Sequence, residues 1–229
     1  MSMIILVGLI QNAVYLESSI RIDSKSQIRV PMYGQASQGN PVKILFLMDN
    51  EYGENYDYIR PILEGWGWEV TLTAMSPNIT PCDYQGAAPE LEVDILIPDI
   101  IDITQFDCIS VMPGDGHAEL LASSEAHELI QAANTHSLVV SAWCRGVRVL
   151  AAADVIDGKN VTGHDDYEDE YIAAGATFFS QVPPIIDGNI VTCVRSRYYR
   201  MEMCLAIATA LGVYETNPPL LVESQVAPT

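Results

Sequence analysis

The chain has 229 residues, of which 49% are apolar and 18% are charged, and its formal net charge is −19. This apolar content is too high for a disordered chain and is enough for one large domain or two small ones. Eleven basic residues against thirty acidic ones argue against a nucleic-acid-binding protein, because binding to phosphates depends on clustered Lys and Arg. The composition therefore predicts an acidic globular protein.

The cysteines and the apolar runs indicate the cellular compartment of the protein and the cofactors that it could use. Five cysteines without C-x-x-C spacing favour neither a disulfide framework nor a structural zinc site. We therefore expect a cytoplasmic protein without a metal or another cofactor. No apolar run reaches the ~18 residues that a membrane span needs. The opening run Met3–Ile10 lacks a preceding basic residue and a clean cleavage motif, so a strand or docking arm is favoured over a signal peptide.

Three segments are predicted along the chain. Residues 1–40 form an N-terminal extension ending in a polar linker, residues 41–213 form the main domain, and residues 214–229 form a tail. In the main domain, short apolar runs alternate with segments of helical periodicity. The predicted strands are 44–48, 69–73, 91–98, 107–112, 137–142, 161–162, 177–178, 182–186 and 189–194, and the predicted helices are 55–65, 118–133, 145–153 and 198–211.

This alternation predicts a mostly parallel sheet that is covered by helices on both faces. Functional groups of such sheets gather at the carboxyl ends of the strands. Candidate functional residues follow three of the predicted strands, after Met48, after Met112 and after Ala142. We therefore expect the site to be built from these three strand ends.

Cys144 follows the buried strand that ends near Ala142, and a small residue and a helix come after it. This order is typical of a nucleophile elbow, in which the side chain stands on a tight turn at the strand end. Gly146 would allow the helix to approach the strand closely, and the positive end of the helix would lower the pKa of the thiol. The alternative is a structural cysteine buried in the core.

The sequence around this cysteine resembles the PfpI family of the class I glutamine amidotransferase-like superfamily, which includes the parkinsonism-associated deglycase and glyoxalase III enzymes. The resemblance is carried by 142–146 and 151–162, and it continues at 107–114, 173–176, 187–192 and the closing helix. It implies a flavodoxin-like three-layer α/β/α sandwich with a mostly parallel sheet, a reactive cysteine and a homodimer or larger homo-oligomer. Residues 1–40 lie outside it.

The family places an acid near the cysteine, four residues before a proline in the helix that follows the first strand. Pro61 puts Asp57 at that position. The preceding loop is one residue longer than usual, so Glu54 is an alternative, and Asp57 could also be a solvated helix residue. A protonated acid would donate to the sulfur and later move a proton, whereas a carboxylate would repel the thiolate.

A histidine is the third expected member of the site. Many relatives have His directly after the nucleophile, but Arg145 stands there, which argues against peptidase activity. The deglycase-like branch has K-V-T-x-H, and residues 160–164 match it closely enough to make His164 the acid/base candidate. The alternative is an exposed loop histidine. His117, His127 and His136 are expected to be solvated.

An oxyanion-binding turn is expected after the strand that ends at Met112. Gly114 and Asp115 occupy the family's P-G-G turn, with Asp115 in place of the second glycine. Backbone N–H groups of this turn and of Arg145 would hold an oxyanion, although a plain tight turn is also possible. Trp143, beside the nucleophile, would either shape the pocket or pack in the core.

These residues lead to three hypotheses about function. The first is a glyoxalase III- or deglycase-like hydrolase or lyase, in which Cys144 attacks a small electrophilic substrate with proton transfer by Asp57 and His164. The second is a non-catalytic redox sensor or stress-response protein whose thiolate is oxidised to sulfinic acid. The third is a PfpI-type peptidase, which Arg145 disfavours.

Overall fold

The apolar runs form a central sheet in the computed structural model, which describes residues 41–53, 55–82, 88–114, 117–194 and 196–214. The predicted extension 1–40 lies outside the described residues, as does the predicted tail after Tyr214. The strands are β1 Lys43–Leu47, β2 Glu51–Tyr52, β3 Glu69–Ala74, β4 Asn78–Pro81, β5 Leu91–Glu92, β6 Ile95–Leu96, β7 Cys108–Val111, β8 Val139–Trp143, β9 Asn160–Val161, β10 Thr177–Phe178, β11 Ile185–Asp187 and β12 Ile190–Cys193.

Within the described residues, seven strands form the main sheet, in the order β11-β12-β8-β7-β1-β3-β6. All neighbouring pairs are parallel except β11 and β12, which form an antiparallel hairpin at one edge. Every residue of β7, β8 and β12 is buried, as expected of central strands covered on both faces. The predicted mostly parallel sheet is therefore confirmed.

Helices cover both faces of this sheet. The helices are α1 Asn55–Gly65, α2 Ala118–Ala122, α3 Ser124–Thr135, α4 Val147–Ala152, α5 Glu168–Ala173 and α6 Arg200–Ala210. One apolar core joins a sheet face to α1 and α6, and the other joins the opposite face to α2, α3, α4 and α5. This is the expected three-layer α/β/α sandwich, with each helix burying its apolar side against the sheet.

Two of the predicted elements are interrupted in the structure. The helix predicted over 118–133 is broken at Ser123, whose backbone is extended and whose hydroxyl accepts a hydrogen bond from the Ala126 N–H. The spacing of apolar residues does not reveal such a cap, because Ser123 acts through a backbone hydrogen bond and not through its hydrophobicity. The strand predicted over 91–98 consists of β5, β6 and a 3-10 turn, Ile97–Asp99.

The register of the sheet brings three strand ends together. Leu47 of β1 pairs with Val111 of β7, and Val111 pairs with Ala142 of β8. The segments after these residues therefore leave the sheet side by side, with adjacent strands ~4.8 Å apart. The residues that follow Met48, Met112 and Trp143 consequently line one edge of the sheet.

Candidate active site at the end of strand β8

Cys144 stands where β8 turns into a helix. Its φ is 54°, in the left-handed region that a residue with a Cβ rarely adopts. A 3-10 turn, Cys144–Gly146, follows and leads directly into α4. Such strain at a strand-to-helix junction is typical of a nucleophile elbow, because it turns the side chain away from the sheet.

Gly146 allows the elbow to approach the neighbouring strand. A Cβ at this position would lie 2.9 Å from the carbonyl oxygen of Val111, which is closer than real Cβ contacts come. That oxygen is part of the backbone and cannot move aside like the end of a flexible side chain. The close approach predicted for Gly146 is confirmed, and it places the turn of β8 directly over the end of β7.

Exposure separates Cys144 from the other thiols. The structure describes all five cysteines, and all are free; Cys144 is partly exposed, whereas the others are buried. Burial raises the pKa of the Cys108 thiol to about 12 and also raises the pKa of Cys193 and of Cys204 above the ordinary value. Those thiols therefore stay protonated and shielded, and the predicted alternative of a core cysteine does not hold for Cys144.

His164 lies beside the elbow. Its backbone N–H donates to the carbonyl oxygen of Cys144 over 3.3 Å, and the residue is only 7% exposed, so it is not an exposed loop histidine. Its Nδ1 accepts a hydrogen bond from the N–H of Asp166 over 3.3 Å, which leaves the proton of the neutral ring on Nε2. The Asp166 carboxylate lies 3.6 Å from Nδ1, where it can stabilise a protonated imidazole.

Tyr171 of α5 closes the buried side of this histidine. Its hydroxyl donates to the carbonyl oxygen of His164 over 3.4 Å, and a Cβ at Gly163 would lie 2.9 Å from that hydroxyl. Burial raises the pKa of Tyr171, and a thiolate at Cys144 would raise it further. The tyrosine therefore remains neutral near the sulfur and acts as a hydrogen-bond donor.

The turn after β7 is held tightly against β1 and β2. A Cβ at Gly114 would collide with the carbonyl oxygen of Glu51, and the carbonyl of Pro113 accepts from the Gly53 N–H over 3.3 Å. Asp115, the next residue of the predicted oxyanion turn, lies outside the described residues. The predicted anion-binding role of this turn stays a prediction.

His117 differs from its prediction as a solvated residue. It is fully buried at the start of α2, with φ of 58°, and its Nε2 lies 2.8 Å from the carbonyl oxygen of Met112. Its ring therefore ties α2 to the end of β7 and fixes the exit of the turn. His136 is exposed and His127 is partly buried.

Asp49 is a buried acid that the sequence interpretation passed over. It follows β1 directly, is 5% exposed, and accepts a hydrogen bond from the Leu120 N–H. Burial raises the pKa of this carboxyl, and the charge of Glu119 adds to the rise against several backbone N–H groups that lower it. An acidic residue directly after a buried apolar strand was the available signal. Its contacts indicate a carboxyl that holds the start of α2 against β1.

The structure gives less information about the two predicted acids, Asp57 and Glu54. Asp57 is exposed in the first turn of α1, and its charge raises the pKa of the Tyr52 hydroxyl, which burial raises more strongly. Pro61 lies inside α1 and lacks the N–H that would bond to the Asp57 carbonyl. Glu54, the alternative acid, lies outside the described residues.

Trp143 packs in the core rather than lining a pocket. It is 0% exposed, and its indole N–H donates to the Ser110 hydroxyl over 3.1 Å. Because alternate residues of a strand face opposite sides, its ring points to the α1 and α6 face. Arg145 is partly buried after the cysteine, and its predicted oxyanion role involves its backbone N–H.

Features that could indicate other kinds of site are absent from the described part of the chain. No group of three His, Cys, Asp or Glu side chains there could hold a metal ion. None of the described helices is long and apolar enough to span a membrane. A groove of about 340 Å³ lies between α3 and the 97–103 segment and includes none of the predicted site residues.

The fold and the elbow define the class of this protein. It is an α/β sandwich with a cysteine at the turn after a central strand. The model of the DJ-1/PfpI family matches residues 42–210. The chain therefore belongs to the DJ-1/PfpI family.

Individual relatives agree with this assignment. The chain is 30% identical over 155 residues to a protein named Deglycase PfpI from Pyrococcus furiosus, covering 66% of this chain and 89% of that protein. It is 29% identical over 98 residues to Protein DJ-1 homolog D of Arabidopsis thaliana, covering 41% of this chain but only 25% of that longer protein. The ThiJ/PfpI domain protein from Brachyspira murdochii superimposes with a TM-score of 0.68 at 19% identity, over 77% of this chain and all of that one, which shows the shared fold.

Proposed function

We propose that this protein is a cysteine-dependent enzyme that acts on a small α-oxoaldehyde, in the manner of a glyoxalase III or deglycase, with Cys144 as nucleophile. The observation that carries the proposal is the contrast among the five cysteines. Cys144 is partly exposed on a strained elbow, whereas the four others are buried. A nucleophilic role requires both access and ionisation; burial denies access to the other four thiols and raises the pKa of Cys108, Cys193 and Cys204.

The reaction would begin with attack of the Cys144 thiolate on the aldehyde carbon of the substrate. A C–S bond forms, and the carbonyl oxygen is held by backbone N–H groups of the Gly114 turn and of Arg145. A base then removes the proton from this carbon, and a proton is returned to the neighbouring carbon to give a thioester. Water hydrolyses the thioester and releases a hydroxy acid and the thiolate. The net change is the addition of one water molecule, without a metal or another cofactor.

His164 is proposed as the base, because it is buried beside the elbow; its neutral ring would take up the proton at Nδ1 and give up the hydrogen bond from the Asp166 N–H. The carboxylate of Asp166 would stabilise the resulting charge. Asp57, or Glu54 in its place, is proposed as the acid that donates to sulfur. The name of the 30% identical Pyrococcus furiosus relative, a deglycase, supports the same class of small carbonyl substrate.

The test is hydroxy-acid formation from methylglyoxal by the purified full chain. We expect lactate release by the wild type, at least a 1000-fold loss in Cys144→Ala, and a loss within threefold in Cys204→Ala, which removes a buried thiol of α6. Asp57→Asn and Glu54→Gln would identify the acid, since only the variant of the acid should lower kcat strongly. Equal turnover in the wild type and Cys144→Ala would eliminate the proposal.

A parallel experiment separates catalysis from redox sensing. After mild peroxide treatment, mass spectrometry of the intact chain would show whether Cys144 alone gains oxygen atoms. Selective oxidation of Cys144 without turnover of methylglyoxal would favour a redox sensor. Cleavage of a peptide substrate that depends on Cys144 would favour the peptidase, which lacks the adjacent histidine here because Arg145 stands at that position.

A further inference from the structure

A bidentate ion pair joins the helix that follows the nucleophile to the helix that follows His164. Arg148 of α4 donates from Nε to Oε2 of Glu170 over 2.8 Å and from Nη2 to Oε1 over 2.9 Å. The Arg148 side chain is only 18% exposed. Two parallel charge-assisted hydrogen bonds fix the direction of a guanidinium as well as its distance. The pair therefore sets the position of α5 relative to α4.

The same guanidinium is stacked on an aromatic ring. Its central carbon lies 4.0 Å from the centre of the Tyr167 ring. A cation held this close over the face of a tyrosine is attracted by the ring electrons. Arg148 thus contacts two residues of the segment that starts at His164. It donates hydrogen bonds to Glu170, and the face of its guanidinium stacks on the ring of Tyr167.

Tyr167 in turn packs against the imidazole. The centres of the His164 and Tyr167 rings are 5.6 Å apart, with their planes inclined by 59°. The imidazole also accepts at Nδ1 from the Asp166 N–H, while the backbone N–H of His164 bonds to the Cys144 carbonyl and its carbonyl accepts from Tyr171. Asp166 and Tyr167, which both contact the ring, are neighbours in the segment that Arg148 holds through Tyr167 and Glu170. The contact with Tyr167 is the one on the path from Arg148 to the ring itself.

We infer that Arg148 is a positioning residue for His164 and that it acts through Tyr167. This inference rests on the proposed function of His164 as a base. Arg148 lies four residues after Cys144. The group formed by Arg148, Glu170 and Tyr167 (the strut) therefore connects the helix after the nucleophile to the segment that begins at His164. Its role is to hold the imidazole at a fixed orientation relative to the sulfur. A misplacement of ~1 Å of a reacting group can cost about 100-fold in rate.

The chain contains a matched control for this strut. Arg60 of α1 also donates to a carboxylate, Oε1 of Glu64 over 2.7 Å, and its guanidinium lies 5.8 Å from the ring centre of Tyr56. Both pairs are partly exposed, so the two Arg→Met variants should lose similar small amounts of stability. Only Arg148→Met removes a contact on the path to His164.

The kinetic test compares kcat and KM of the full chain with methylglyoxal. We expect Arg148→Met to lower kcat about 10- to 100-fold with KM within twofold, and Arg60→Met to change neither by more than twofold. Arg148→Lys should recover part of kcat, because an ammonium keeps the charge near Glu170 but not the fork or the stacking. Equal kcat in Arg148→Met and Arg60→Met would overturn the inference.

A second readout does not depend on turnover. In protein labelled at its four histidines, the imidazole signals of His164 can be assigned with the variant His164→Gln. We expect these signals to shift in Arg148→Met and to stay in place in Arg60→Met. Unchanged His164 signals in Arg148→Met would contradict the strut even if the enzyme is active, whereas shifted signals without any wild-type turnover would support the strut and reject the proposed function.

Discussion

At this site, single residues determine how closely the elbow approaches the neighbouring strand. At Gly146 the missing side chain lets the elbow lie against the Val111 carbonyl, while Cys144 accepts a left-handed φ beside it. A strained non-glycine residue persists only when its surroundings hold it, and the close packing at Gly146 is one such constraint. The position of the sulfur therefore depends on a neighbour that does no chemistry.

Substitution of Gly146 tests this dependence. We expect Gly146→Ala to lower the free energy of unfolding by about 1–3 kcal/mol, because the added methyl group meets a backbone oxygen. Gly65→Ala is the control, since a Cβ at the end of α1 meets nothing within 4 Å and alanine favours a helix by about 0.5–1 kcal/mol. Urea unfolding of both variants measures the difference, and equal stabilities would contradict the packing argument.

At the scale of elements, the break between α2 and α3 directs the chain around the site. Ser123 is buried there, and its hydroxyl accepts from the Ala126 N–H over 3.0 Å, satisfying a donor that the first turn of α3 leaves unpaired. The break allows α2 to stay against the carboxyl of Asp49 while α3 packs on the sheet.

The cap can be tested with two neighbouring serines. We expect Ser123→Ala to destabilise the protein by about 1 kcal/mol, as the loss of an N-cap usually does. Ser124→Ala removes an exposed hydroxyl from the first position of α3, so its effect should stay within about 0.5 kcal/mol. Urea midpoints that shift equally for the two variants would show that the cap does not hold α3.

For the whole molecule, the excess of negative charge is the dominant electrostatic feature. A formal net charge of −19 over 229 residues destabilises the compact state through self-repulsion. The basic residues of the described ion pairs, such as Arg148 with Glu170, are already counted in this net charge. Because salt screens interactions between exposed charges, stability should depend on ionic strength.

This dependence gives a prediction for thermal unfolding. At pH 7, raising NaCl from ~10 mM to ~200 mM shortens the screening length severalfold. We expect Tm to rise, by about 2–4 °C for each 1 kcal/mol of repulsion removed. Near the sequence pI of about 4.3 the net charge vanishes and the salt effect should vanish with it. A Tm that rises equally at both pH values would show that salt acts by another route.

Much of the fold could be predicted from the sequence because its signals are local. Continuous apolar runs mark strands buried on both faces, and their alternation with helical periodicity implies parallel connections. The strands that were not predicted, β2 and β4, have two and four residues, too few to show a period. Their pairing depends on contacts between segments far apart in the chain.

By itself, the sequence determined the architecture, the elbow and the identity of Cys144 as the distinctive cysteine, because a strand, a turn and a helix are encoded by adjacent residues. Tertiary structure alone decided which side chains are buried: His117 and Asp49 inside, Trp143 in the core, Asp57 exposed. It also decided that Arg148 reaches Glu170 and Tyr167. Burial and pairing of this kind arise where distant segments pack together, so no local pattern records them.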